Sequence, residues 1–203
     1  NVAAGTAVLT NATYIDVLNI NDYTSGVDVT ITGGTNAATP LTVNATTMDA
    51  GEILTGNFAA ATGGVTLNAG SGADILTGGT SADTIYGNAG IDTIDGNENS
   101  ATLGADAIYG GAGNDIINVT DAETEFSNSS TTALVTDTVD GGAGTDTLAF
   151  AVAATLTKAE LANISNIEKL TLANTSSITL SDDFLTNNPG IAITLAAGTI
   201  SAG

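Results

Sequence analysis

Gly87-Asn-Ala-Gly-Ile-Asp92, Gly110-Gly-Ala-Gly-Asn-Asp115 and Gly141-Gly-Ala-Gly-Thr-Asp146 are three copies of one glycine-rich turn. Each ends in an aspartate, and an aliphatic residue follows two positions later. Working outward gives seven such aspartates: Asp74, Asp83, Asp92, Asp106, Asp115, Asp137 and Asp146. Their aliphatic partners are Leu76, Ile85, Ile94, Ile108, Ile117, Val139 and Leu148. The intervals between aspartates are 9, 9, 14, 9, 22 and 9 residues. Self-similarity at a fixed period marks a solenoid, in which each repeat buries its apolar residue only against its neighbours.

The chemistry of the unit follows from its residues. Small residues let the backbone turn tightly, and glycine adopts positive φ at little cost. A short strand such as Thr84-Ile85-Tyr86 then points its aliphatic residue inward and its neighbours outward. Two strand-and-turn units complete a coil of 18 residues, so alternate turns stack about 4.8 Å apart. Asp74 and Asp92 are 18 apart, as this requires. Asp83–Asp106 and Asp92–Asp115 are 23 apart, a coil plus five residues, while Asp106–Asp137 and Asp115–Asp146 are 31 apart, a coil plus thirteen. The extra residues fall near 97–101 and 119–136, and both are expected to leave from one edge of the coil.

Between stacked turns, carboxylates and carbonyls converge into an all-oxygen site of flexible geometry. That suits Ca²⁺ better than Mg²⁺, which prefers a smaller octahedron and keeps its water. Transition metals are disfavoured because the chain has no histidine and no cysteine. The turns at Asp74, Asp92, Asp115 and Asp146 are well formed. Asp83 has Ser81 where a glycine is expected, Asp106 keeps only Gly104, and Asp137 follows Ala-Leu-Val-Thr without a glycine, as if completing a coil without binding metal.

Composition points the same way. There are 22 acidic and 2 basic residues, giving a net charge of −20. Such a chain cannot neutralise phosphates, which excludes nucleic acid as a partner. It is equally unsuited to anionic lipid, and no apolar run of about 18 residues suggests insertion into a membrane. With 4 Phe, 4 Tyr and no Trp, a thin core of stacked aliphatics is expected. The start at Asn1 and the pattern-like end suggest a piece of a longer protein or a processed product.

Three regions are read along the chain. Residues 1–57 carry short alternating runs such as Val27-Asp-Val-Thr-Ile-Thr32, expected as β-strands that stack on the solenoid, although a β-sandwich edge fits them too. Residues 58–149 form the solenoid. Its phase reaches back to Phe58 and Leu67, with Gly56 and Val65 standing where aspartates would be. Residues 150–203 return to strands, Lys169-Leu-Thr-Leu172 among them. The capping box Thr157-Lys-Ala-Glu160 predicts one short helix near 158–163.

Stretch 69–149 resembles the repeats-in-toxin (RTX) family, whose nonapeptide is Gly-Gly-x-Gly-x-Asp-x-aliphatic-x. The resemblance implies an all-β fold: a right-handed parallel β-roll or β-helix with β-rich flanks and at most one short helix. It also implies type I secretion and calcium-triggered folding outside the cell. Carried over by position, Asp74, Asp83, Asp92, Asp106, Asp115 and Asp146 would bind several Ca²⁺ ions. The backbone carbonyls of Gly70, Gly72, Gly78, Thr80, Gly87, Ala89, Gly90, Gly110, Ala112 and Gly113 would join them. A metal loop leading into Ile164-Ser-Asn-Ile-Glu-Lys-Leu-Thr-Leu172 is also similar to calcium-dependent bacterial surface-layer proteins.

No catalytic constellation stands out. Without His or Cys there is no His-based triad and no thiol nucleophile. The adjacent pair Asp182-Asp183, beside Ser181 and Phe184, reads as a turn or helix start. The expectation is therefore a non-enzymatic, calcium-dependent structural protein of the bacterial cell surface that self-associates into a lattice. The alternatives are the secretion and folding module of an RTX hydrolase, or an RTX surface adhesin.

Overall fold

The computed structural model describes residues 5–9, 15–21, 29–33, 40–97, 104–120, 137–151, 155–156, 161–173 and 176–195. In chain order the strands begin with β1 (Gly5–Leu9), β2 (Val17–Asn19), β3 (Val29–Gly33), β4 (Leu41–Asn44), β5 (Leu54–Asn57) and β6 (Val65–Asn68). The repeats supply β7 (Ile75–Thr77), β8 (Thr84–Ala89), β9 (Thr93–Asp95), β10 (Ala107–Ala112), β11 (Ile116–Val119), β12 (Thr138–Ala143) and β13 (Thr147–Phe150). After them come β14 (Thr155–Leu156), β15 (Ile164–Ser165), β16 (Lys169–Leu172), β17 (Ser177–Ile178), helix α1 (Asp182–Asn187) and β18 (Ala192–Leu195).

From β1 to β13, successive strands alternate between two parallel sheets. One has nine strands in the order β1-β3-β5-β7-β9-β11-β13-β16-β18 and is called sheet I. The other, sheet II, has seven in the order β15-β12-β10-β8-β6-β4-β2, while β14 and β17 make a separate parallel pair. This is a parallel solenoid. The strands of 1–57 lie in the same two sheets as the repeats, which excludes a sandwich edge for them.

The core is a double column of aliphatic side chains. Leu76, Ile94, Ile117, Leu148 and Leu170 stack in register on sheet I. Val43, Leu67, Ile85, Ile108, Val139 and Ile164 face them from sheet II. Nearly all are buried completely, and burial of one such side chain stabilises by about 1.5–3 kcal/mol. Outside, polar residues stack on themselves: Asn68 donates to Asn44 at 2.7 Å and Asn44 to Asn19 at 3.0 Å. Tyr86 and Tyr109 continue that column as stacked rings with centroids 4.9 Å apart.

Two expectations need correction. Phe58 does not occupy the position of Leu76; Gly56 pairs with Leu76, and Leu54 lies opposite Asp74, 20 residues on. The Phe58 ring instead fills the space that Gly56 leaves, lying 3.4 Å from where a Gly56 side chain would begin. The coil there is two residues longer than 18 because an aromatic side chain has to fold back into it. The short helix is α1 at 182–187, where Ser181 caps it by accepting from the Phe184 amide at 3.1 Å. Of the segment expected to be helical, 161–163 form a turn and 158–160 lie outside the described residues.

Candidate metal centre

The connections between the sheets stack into two series of turns. Turns running from sheet II to sheet I cover 70–74, 88–92, 111–115 and 142–146, and a shorter one covers 166–168. Turns from sheet I to sheet II end at Asp83, Asp106 and Asp137. Both sequence insertions fall in this second series, and residues 98–103 and 121–136 within them lie outside the described residues. All seven aspartates are buried, between 0 and 4% exposed.

Each aspartate is tied to the coil before it by one carboxylate oxygen. In the first series Leu54 N–H donates to Asp74 Oδ1 at 2.7 Å, Asp74 N–H to Asp92 Oδ1 at 2.8 Å, and Asp92 N–H to Asp115 Oδ1 at 2.9 Å. Asp115 N–H then donates to Asp146 Oδ1 at 2.8 Å. The second series repeats this through Val65 to Asp83, Asp83 to Asp106 and Asp106 to Asp137, at 2.6, 2.8 and 2.8 Å. Asp137, whose sequence lacked a glycine turn, is thus a full member of the ladder. The separations along the chain are 18, 23 and 31 residues, as the phase requires.

Three members escaped the sequence reading. Asp146 N–H donates to Glu168 Oε2 at 2.8 Å, so Glu168 takes the aspartate position one coil later. The signal was present, since Glu168-x-Leu170 has the acid-x-aliphatic form. Ile167 N–H then donates to Asn188 Oδ1 at 2.8 Å, and the buried Asn188 amide gives its own hydrogens to Ile164 O and Phe184 O. Gly96 lies against the Asp106 carboxylate, the place the first glycine of a turn takes, before the insertion rather than after it.

The glycine requirement has two physical causes. At Gly110 it is space: a Cβ would stand 2.5 Å from both Asp115 Oδ2 and Gly141 O. At the next position it is conformation, with Gly111 at φ 108° and Gly142 at φ 96°. Asn88 takes that place at φ 70°; asparagine tolerates the left-handed region better than most residues. Its side chain donates to Ala69 O at 2.8 Å.

The resulting site is strongly electronegative. Burial lifts the Asp92 carboxyl to about 7, aided by Asp74 and Asp115, and burial lifts Asp74 and Asp146 to about 6. Glu168 and Asp140 add to the rise at Asp146. Asp115 is also raised by burial. Of the two basic residues, Lys169 is exposed and Lys158 lies outside the described residues. The buried Oδ2 atoms of Asp92, Asp115 and Asp146 meet no hydrogen-bond donor among the described residues. Leaving such an oxygen unsatisfied is costly, and a hard cation satisfies it. No group of three carboxylates capable of holding an ion occurs among the described residues; an ion held there would take backbone oxygens into its shell, as Ca²⁺ accepts.

The chain carries RTX calcium-binding nonapeptide repeats. Residues 68–103, 100–120 and 136–149 match the family model of that repeat, in four copies. RTX repeats bind Ca²⁺ ions, several per array, and are typical of secreted proteins. Neither a curated protein nor a solved structure matches the chain. Among the described residues no helix is long and apolar enough to cross a membrane.

The RTX turns place their backbone oxygens in rows. Gly72 O faces the α-carbon side of Gly90, Gly90 O that of Gly113, and Gly113 O that of Gly144, while Gly110 O lies against Gly87. Ala112 O accepts from Gly90 N–H at 2.9 Å, and Gly70 O from Ala89 N–H at 3.5 Å. In the other series Thr80 directs both its amide and its hydroxyl to Ala61 O, and Gly78 N–H donates to Asp95 O. Each carbonyl oxygen has two lone pairs, so one used between coils still has a second for an ion.

Proposed function

We propose that this chain is a calcium-dependent structural component of a bacterial cell surface, of the surface-layer kind. Calcium bound by carboxylates and turn carbonyls stiffens the solenoid and the lateral contacts through which copies assemble. The observation that carries this reading is continuity. Strands from Gly5 to Leu195 join two parallel sheets that include the calcium turns, so the ions brace the flanks as well as the repeats. Flanks rich in Thr, Ala, Val and Asn, and a metal loop running into the Glu168 strand, support a surface-layer role. The reading includes no catalysis: the chain has no histidine and no cysteine, and Asp182 and Asp183 form the first turn of α1. It also includes export to the cell exterior by a type I system.

Electron microscopy of the native protein in millimolar calcium tests the proposal. Ordered sheets that dissolve on chelation are expected. A lattice that persists in excess chelator overturns it. So does a chain that stays monomeric in calcium and is joined, in its full gene product, to a histidine-bearing metalloprotease or serine lipase domain; that result would make it a secretion and folding module.

A further inference from the structure

The repeats look alike in sequence, but their turns close in two different ways. In the turns ending at Asp74 and Asp83, the second residue is Gly70 or Gly79, and neither enters the left-handed region. Its N–H points at the carboxylate of its own turn: Gly70 N–H donates to Asp74 Oδ2 at 3.1 Å, and Gly79 N–H donates to Asp83 Oδ2. These carboxylates already have both oxygens engaged, since Oδ1 serves the ladder.

In the turns ending at Asp92, Asp115 and Asp146, the second residue is left-handed: Asn88, Gly111 and Gly142 at φ 70°, 108° and 96°. No hydrogen bond from these amides to the carboxylate of the turn forms. Gly142 N–H goes instead to Asp140 Oδ1 at 3.1 Å. The Oδ2 atoms of these three aspartates, each 0% exposed, consequently face their turns with no donor among the described residues. One peptide orientation therefore separates a carboxylate closed on its own amide from one held open.

We propose that calcium is taken up at the open turns ending in Asp92, Asp115 and Asp146, while the turns ending in Asp74 and Asp83 close on their own amides and hold their coils without an ion. The second residue of the turn sets which state is adopted, and Asp140 is a positioning residue that keeps the Gly142 amide away from Asp146. The closed turns would form a metal-independent base on which the calcium-dependent coils stack.

Single Asp→Asn substitutions in the full chain, with bound calcium counted by equilibrium dialysis, test this. Asparagine keeps an oxygen for the ladder amide and replaces the other oxygen by NH₂. D92N, D115N and D146N are each expected to bind at least one ion fewer than the parent. D74N and D83N should retain the parent's calcium count but melt earlier in chelator, because NH₂ there faces an amide donor. Loss of an ion in D74N or D83N overturns the proposal. Hydrogen exchange on the unsubstituted chain decides the matter even if a variant misfolds. The Gly70 and Gly79 amides should be equally protected with calcium and with chelator, whereas amides in 111–115 and 142–146 gain protection only with calcium. The same calcium dependence in both sets overturns it.

Discussion

Asp115 N–H donates to Asp146 Oδ1 at 2.8 Å across a sequence separation of 31 residues. The same contact forms between Asp74 and Asp92 across 18. A thirteen-residue insertion thus leaves the bond unchanged, because the excess chain leaves from the other series of turns. The ladder fixes the register of the coils while one edge is free to vary in length.

Calcium removal is expected to abolish part, not all, of the β-structure. Buried carboxylates that lose their cation repel one another across about 4.8 Å. Circular dichroism of the native chain with and without chelator measures this. A β signal unaltered by exhaustive chelation would contradict the calcium dependence.

Acidity should act on the calcium-free chain in the opposite direction to its effect on the calcium-loaded one. Burial raises Asp92 to about 7 and Asp74 and Asp146 to about 6, from 3.8. Between about pH 4 and 7 the folded chain therefore holds more protons than the unfolded chain, and its stability falls as pH rises through that window. Chelated protein should melt at a higher temperature at pH 5 than at pH 7.5. Calcium competes with the protons on Asp92 and Asp146, so its affinity should weaken on acidification. Melting curves and calcium titrations at both pH values check the two signs.

Ile117 is 1% exposed and stacks between Ile94 and Leu148. Ile117→Ala should cost about 2–5 kcal/mol, read from urea denaturation in saturating calcium. A loss well under 1 kcal/mol would mean that the aliphatic column is not the core.

Glu168 offers a test that separates charge from hydrogen bonding. Glu168→Gln keeps an acceptor for Asp146 N–H, whereas Glu168→Ala leaves that partly buried amide without one. The alanine variant should be less stable than the glutamine variant by about 1–3 kcal/mol in denaturant. Equal stability would show that the ladder does not depend on this rung.

Much of this architecture was legible in the sequence because stacking imposes arithmetic. Inward residues alternate with outward ones, so Leu76, Ile94, Ile117 and Leu148 had to recur in phase with their aspartates. Turns without a glycine signature leave no such arithmetic in the sequence. Around Gly56 the coil lengthened to admit Phe58. In the first 57 residues the coils run to 25 residues, as from Asn19 to Asn44, and hydrophobic alternation alone does not set a period. Asn88 and Asn188 were equally hidden, since a left-handed backbone and a buried amide leave little trace in residue type. The closure of Asp74 and Asp83 on their own amides depends on one peptide orientation, which Gly70 and Gly79 permit but do not dictate.

Because the strands from β1 to β13 alternate between two sheets, the gene can change in units of unequal consequence. Duplicating 18 residues adds one strand to each sheet and returns everything downstream to its former side. Duplicating nine would send each later strand to the opposite sheet, turning the segment that carries Glu168 and α1 to the other face. Length can drift coil by coil, but half a coil inverts the molecule's C-terminal third.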